Sequence, residues 1–190
     1  WAPENNQVTI VSIPADTSRF VVETLEHVKS GGFNEILGDV SGHLAIHVGR
    51  DFDGDGEVDF ENEWLCSSTT QIEKNFCSFT NPDEGDYWVL LSNTSRNMAD
   101  WTLEDGPDPY DWYGITREDL VDTYKVATAI VPAHAQNMTA SGPASSDGVT
   151  PVDVNLEWNL DELERGDIAY GLLNIGSNTS PDSLGRVPLR

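Results

Sequence analysis

The chain has 190 residues, 33 acidic side chains against 10 basic ones, a net charge of −23, 38% hydrophobic residues and six tryptophans. So large a negative excess repels nucleic acid and anionic lipid headgroups and argues against both as partners. No apolar run approaches the ~18 residues of a membrane span, and the apolar and aromatic content suits one or two folded, soluble domains rather than a disordered acidic tail.

From the N-terminus onward the hydrophobic pattern is mostly of period two, rich in Val, Ile, Thr and aromatics and interrupted by Gly, Pro, Asn and Asp clusters. It predicts strands over Val8–Ile13, Phe20–Leu25, His43–Val48, Phe76–Phe79, Tyr87–Ser92, Thr123–Val131, Asn137–Ser141, Val152–Trp158, Ile168–Ile175 and Arg186–Leu189. Only Arg117–Val121 and Leu160–Leu163 suggest a turn of helix. Two sheets packed face to face would bury the apolar sides of these strands, so the expected fold is an all-β antiparallel sandwich. A break at Val131-Pro-Ala-His134 divides the chain into a larger part, 1–132, and a smaller one, 133–190. Because the chain opens on Trp1 rather than Met, it is expected to be a processed product or an excised piece.

Between the third and fourth predicted strands, the stretch D51-F-D-G-D-G-E-V-D-F-E-N-E63 has an acidic residue at every odd position, seven in all. Seven carboxylates on one face of an extended strand would stand about 7 Å apart and repel, and Gly54 and Gly56 weaken a strand further. Asp51-x-Asp53-x-Asp55-Gly56-x-x-Asp59 instead fits the first nine positions of a calcium loop. Carboxylates at one, three and five converge on a hard cation, Gly at six allows the sharp turn, and the carbonyl of residue seven, Glu57, adds an oxygen. Asp59 follows at nine. Position twelve is Asn62 where a helical calcium hand carries Glu, so closure is expected from a flanking acid, Glu61 or Glu63, with Glu63 preferred. No helical periodicity surrounds the loop, which predicts a calcium hairpin between strands; magnesium, with its stricter octahedral demand, fits less well.

Cys66 and Cys77 are the only cysteines and lack C-x-x-C spacing, so a disulfide in an oxidising compartment is expected. H43-L-A-I-H47 lacks the Glu of a zinc helix; as a strand it turns Leu44, Ile46 and Val48 inward and His43, Ala45 and His47 outward, which leaves the histidines solvated unless His43 or His47 meets the acidic loop. Asp100–Gly114 has no strand periodicity and reads as a long surface loop. Its aromatics Trp101, Tyr110, Trp112 and Tyr113 serve either to wedge the loop onto the core or to grip a protein or polysaccharide, the basis of an alternative reading as an adhesion module. No nucleophile elbow, phosphate-cradling loop or dinucleotide fingerprint is present, so no catalytic residue is nominated. The N-x-S/T sequons at Asn93, Asn137 and Asn178 carry no weight.

The segment from His43 to Asn93 resembles the bacterial pre-peptidase C-terminal domain, a β-sandwich appended to secreted proteases. The likeness lies in L44-A-I-H-V48, the acidic loop followed by E63-W-L-C66, the segment ending F76-C-S-F79, and P82-D-E-G-D-Y-W-V-L-L-S-N93. The tail, S141-G-P-A-S-S-D-G-V-T-P-V-D-V-N-L-E-W158 and G166-D-I-A-Y-G-L-L-N-I-G176, resembles the small immunoglobulin- or fibronectin-like module that follows such domains in some subtilisin-like proteases. The resemblance implies a jelly-roll-like sandwich with a second small module. It further implies a non-catalytic, secreted accessory region that assists secretion, folding or substrate engagement of a subtilisin-like serine protease, whose catalytic domain is its partner. Family members often carry Asp residues in the strand that here reads His43-Leu-Ala45, so that family metal site is not carried over.

Overall fold

The computed structural model describes residues 6–28, 44–69, 74–93, 123–134, 137–160, 163–177 and 179–190. His43, the aromatic loop with Trp101, Tyr110, Trp112 and Tyr113, and the helical turn expected at Arg117–Val121 lie outside the described residues. Among the described residues there are eleven strands and no helix: β1 (Asn6–Ile13), β2 (Thr17–Val28), β3 (Leu44–Arg50), β4 (Trp64–Ser68), β5 (Phe76–Thr80), β6 (Gly85–Asn93), β7 (Thr123–Pro132), β8 (Met138–Ser141), β9 (Asn155–Trp158), β10 (Gly171–Ser177) and β11 (Ser180–Leu189). It follows that no helix among them is long and apolar enough to cross a membrane.

Two antiparallel sheets form the body of the protein, one in the order β1-β6-β3-β4 and the other in the order β5-β2-β7. Alternation decides what meets between them. From the first sheet come Leu44, Ile46 and Val48 of β3 with Tyr87 and Val89 of β6; from the second come Phe20 and Val22 of β2 with Cys77 of β5. Phe20 stacks on Phe79 at 5.8 Å between ring centroids and meets Tyr87 of the opposite sheet edge-on at 5.6 Å, so one ring spans the seam. Burying a side chain of this size contributes roughly 1.5 to 3 kcal/mol, and Phe20 is fully enclosed.

The strand β4 escapes periodicity because W64-L-C-S-S68 is five residues long and ends in two serines. Pairing identifies it: Cys66 lies opposite Val48 of β3. β4 and β5 stand at corresponding edges of the two sheets, and the Cys66–Cys77 disulfide joins them with the Cα atoms 6.2 Å apart. The covalent link therefore closes one side of the sandwich.

Beyond β7 the tail forms two separate two-stranded antiparallel ribbons, β8-β9 and β10-β11. The second ribbon docks on β2 through polar contacts. Arg19, Val21 and Glu23 point away from the Phe20 side of β2, yet all three are buried. Arg19 donates from Nε to Ser78 Oγ (3.0 Å) and from Nη1 to the carbonyls of Gly171 (3.0 Å) and Leu189 (2.8 Å), residues that pair across the open end of the ribbon. Glu23 accepts from the Tyr170 hydroxyl at 2.7 Å and from Arg190 Nε at 2.9 Å. Each buried charge is thus met by several partners, the condition under which burial of charge is tolerated.

Replacing both cysteines by serine is expected to lower unfolding stability by about 3 kcal/mol, the loop-closure value for a bridge of this span. Urea denaturation of the Cys66→Ser/Cys77→Ser variant against the oxidised protein measures it; an unchanged midpoint would show that the staple contributes nothing.

Candidate metal centre

The acidic loop leaves β3 after Arg50 and enters β4 at Trp64. Both ends are pinned to the first sheet: Arg50 N–H donates to the Glu63 carbonyl (3.0 Å) and Asp51 N–H to the Asp86 carbonyl (2.9 Å). The Arg50 guanidinium adds a clamp, donating to Asp83 (2.8 Å) and to the Glu84 carbonyl (2.9 Å) while lying 5.0 Å from the centroid of the Phe52 ring.

Within the loop the aspartates organise their own backbone. Asp51 accepts from Gly54 N–H through Oδ1 (2.7 Å) and from Gly56 N–H through Oδ2 (3.0 Å); Asp53 accepts from Asp55 N–H (3.2 Å), and Asp55 from Glu57 N–H (2.7 Å). Gly54 and Gly56 adopt φ of 75° and 72°, left-handed values that an L side chain resists even though open space surrounds both positions. The turn needs glycine for its backbone, not for room.

The second half explains the residue at position twelve. Asn62 donates its side-chain amide to Asp59 Oδ2 (2.7 Å), while Asp59 Oδ1 accepts the N–H groups of Glu61 (2.7 Å) and Asn62 (3.1 Å). These bonds, the Asn62 amide foremost, hold the Asp59 carboxyl below the usual carboxylate range. Glu63 N–H reaches the Asp59 carbonyl at 3.2 Å, completing one turn that swings the Glu63 side chain back toward the start of the loop.

Glu63 is only 4% exposed. Its Oε1 accepts from Phe52 N–H (2.6 Å) and its Oε2 from Trp88 Nε1–H (2.9 Å). One carboxylate oxygen from each of Asp51, Asp53 and Glu63 lies within 4.8 Å of the other two. Oxygens sharing one calcium at 2.3 to 2.6 Å stand no more than about 5 Å apart, so this group can hold a metal ion. Asp55 and Asp59 lie outside the group, and Glu61 contributes its N–H to Asp59 instead. Glu57 donates its N–H to Asp55.

The expectation that His47 is solvated is corrected. His47 is 8% exposed because the acidic loop folds back over it, and Ala45 on the same face of β3 is buried as well. Phe60 meets His47 edge-on at 5.3 Å and Trp88 at 5.7 Å, and His47 Nδ1 is 2.8 Å from Ser67 Oγ. Sequence reasoning also missed Trp88 as a partner of the loop. The available signal was Gly49: it pairs with Trp88, and a Cβ there would come within 2.0 Å of the indole ring, so only glycine lets the ring lie over β3.

Burial lowers the His47 imidazole below its ordinary pKa of 6.5. The unfolded chain then takes up this proton first, so the stability is fully present above pH 6.5 and is lost as pH falls from there through the lowered folded value. Denaturation of wild type and His47→Gln between about pH 5 and 8 is expected to show a shallower acid-side loss in the variant; identical slopes would contradict it. No protein-family model matches the chain, and no curated protein matches it.

Proposed function

We propose that this chain is a calcium-stabilised, non-catalytic accessory region of a secreted subtilisin-like serine protease, supporting its secretion, folding or substrate engagement. The observation that carries the calcium reading is the convergence of Asp51, Asp53 and the buried Glu63 at the mouth of a loop that covers one face of a sheet. An all-oxygen, carboxylate-rich donor set fits a hard cation, and the D-x-D-x-D-G spacing favours calcium among these. When bound, the ion would supply positive charge among the three acids and so hold the loop against Trp88 and His47.

The disulfide supports an oxidising compartment. The accessory role rests on the resemblance stated above, whose two strand motifs, L44-A-I-H-V48 and P82-D-E-G-D-Y-W-V-L-L-S-N93, fall on the paired strands β3 and β6 and supply five residues of the core. In the parent protein a subtilisin-type catalytic domain is the expected neighbour.

Calcium at ten to a hundred times its dissociation constant would add about 1.4 to 2.7 kcal/mol, or roughly 3 to 10 °C in melting temperature for a chain of this size. Thermal melts in calcium and in EDTA are expected to differ by that amount in wild type and to coincide in Asp51→Asn/Asp53→Asn. Coincident melts in the wild type would overturn the proposal.

A further inference from the structure

We propose that Trp88 is a positioning residue for the metal ligand Glu63, its indole N–H fixing the carboxylate that closes the acidic loop. The inference rests on the calcium reading above and assigns a role to a residue outside the acidic stretch.

Trp88 lies on β6 between Tyr87 and Val89, which both enter the core, so its own side chain turns to the opposite face of the first sheet. There it is fully buried. Gly49 opens the space beneath the ring, and Phe60 closes it from the loop side at 5.7 Å. With the ring held on both sides, Nε1–H is aimed at Glu63 Oε2 at 2.9 Å. Phe52 N–H holds the other oxygen at 2.6 Å. Two donors from different parts of the chain, one on each oxygen, fix the plane of the carboxylate.

That plane matters because Glu63 reaches the cluster from inside the protein, whereas Asp53 is exposed. Among the described residues no Lys or Arg forms an ion pair with Glu63; Arg50 is engaged by Asp83, and Arg190 by Glu23. A buried carboxylate with hydrogen-bond donors but, among the described residues, no countercharge is costly, and a cation beside Asp51 and Asp53 would supply that charge. Outer partners that orient a metal ligand typically account for about 10- to 100-fold in affinity. Trp88→Phe keeps an aromatic ring but removes the donor and leaves the volume of the second indole ring unfilled, so the folding check and the wild-type resonance below separate loss of the hydrogen bond from loss of packing.

The test is calcium titration calorimetry on the full chain, with far-UV circular dichroism as the check on folding. Trp88→Phe is expected to bind calcium about 10- to 100-fold more weakly, and Trp158→Phe, at an exposed position, to bind like the wild type. In the wild type, the indole N–H resonance of Trp88, assigned through its contact with Phe60, should shift as calcium is added. Equal affinity in a folded Trp88→Phe variant, with calcium bound by wild type, would overturn this inference alone. If that variant fails to fold, the wild-type resonance decides: no movement at saturating calcium overturns the role of Trp88. Absence of any calcium binding by wild type would remove the calcium reading itself.

Discussion

Repulsion among like charges is the constraint on which the rest of the structure turns. Asp51, Asp53 and Glu63 bring carboxylate oxygens within 4.8 Å of one another, and the third of these acids is buried. Backbone N–H groups from Phe52, Gly54 and Gly56 spread partial positive charge around them, but they are dipoles, not ions. A divalent ion would turn the same crowding into cohesion. The sheet gains from this because the acidic loop is also the cover of its outer face, bringing Phe60 over His47 and Trp88.

The two ends of that loop are tied to the sandwich by different means. At its start, Arg50 spans Asp83, Glu84 and the Phe52 ring. At its end, Glu63 runs directly into β4, whose Cys66 is bonded to β5 of the other sheet. The loop is therefore braced on both sheets although its acids point into solvent for most of its length. On the far side of the second sheet, Arg19 and Glu23 solve a related problem differently. They are buried charges matched by carbonyls, a hydroxyl and Arg190 of the tail, all supplied by the polypeptide itself.

Much of this was legible in the residues. The strand β7 alternates enough for period-two patterning to find it, β6 shows as the apolar run Tyr87–Leu91, and D-x-D-x-D-G marks the loop without reference to any fold. The choice between Glu61 and Glu63 was narrowed only to a preference, because it depends on Asn62 turning its amide to Asp59. Burial of His47 was legible only as an alternative, that a histidine of this strand meets the acidic loop: strand periodicity describes a residue's own neighbours in sequence, while the ring over His47 is Phe60, thirteen residues further on. The Trp88–Glu63 bond required the register that sets Gly49 opposite Trp88. The edges of β9 and β10 also shifted, since Val152 and Val154 are exposed and lie before the paired residues Asn155–Trp158.

The most direct measurement is a crystal structure of the chain grown in millimolar calcium, with anomalous diffraction to identify the ion. The account predicts an anomalous peak among Asp51, Asp53 and Glu63, with carboxylate oxygens about 2.3 to 2.6 Å from it. Well-ordered acids at these three positions with no peak between them would contradict it.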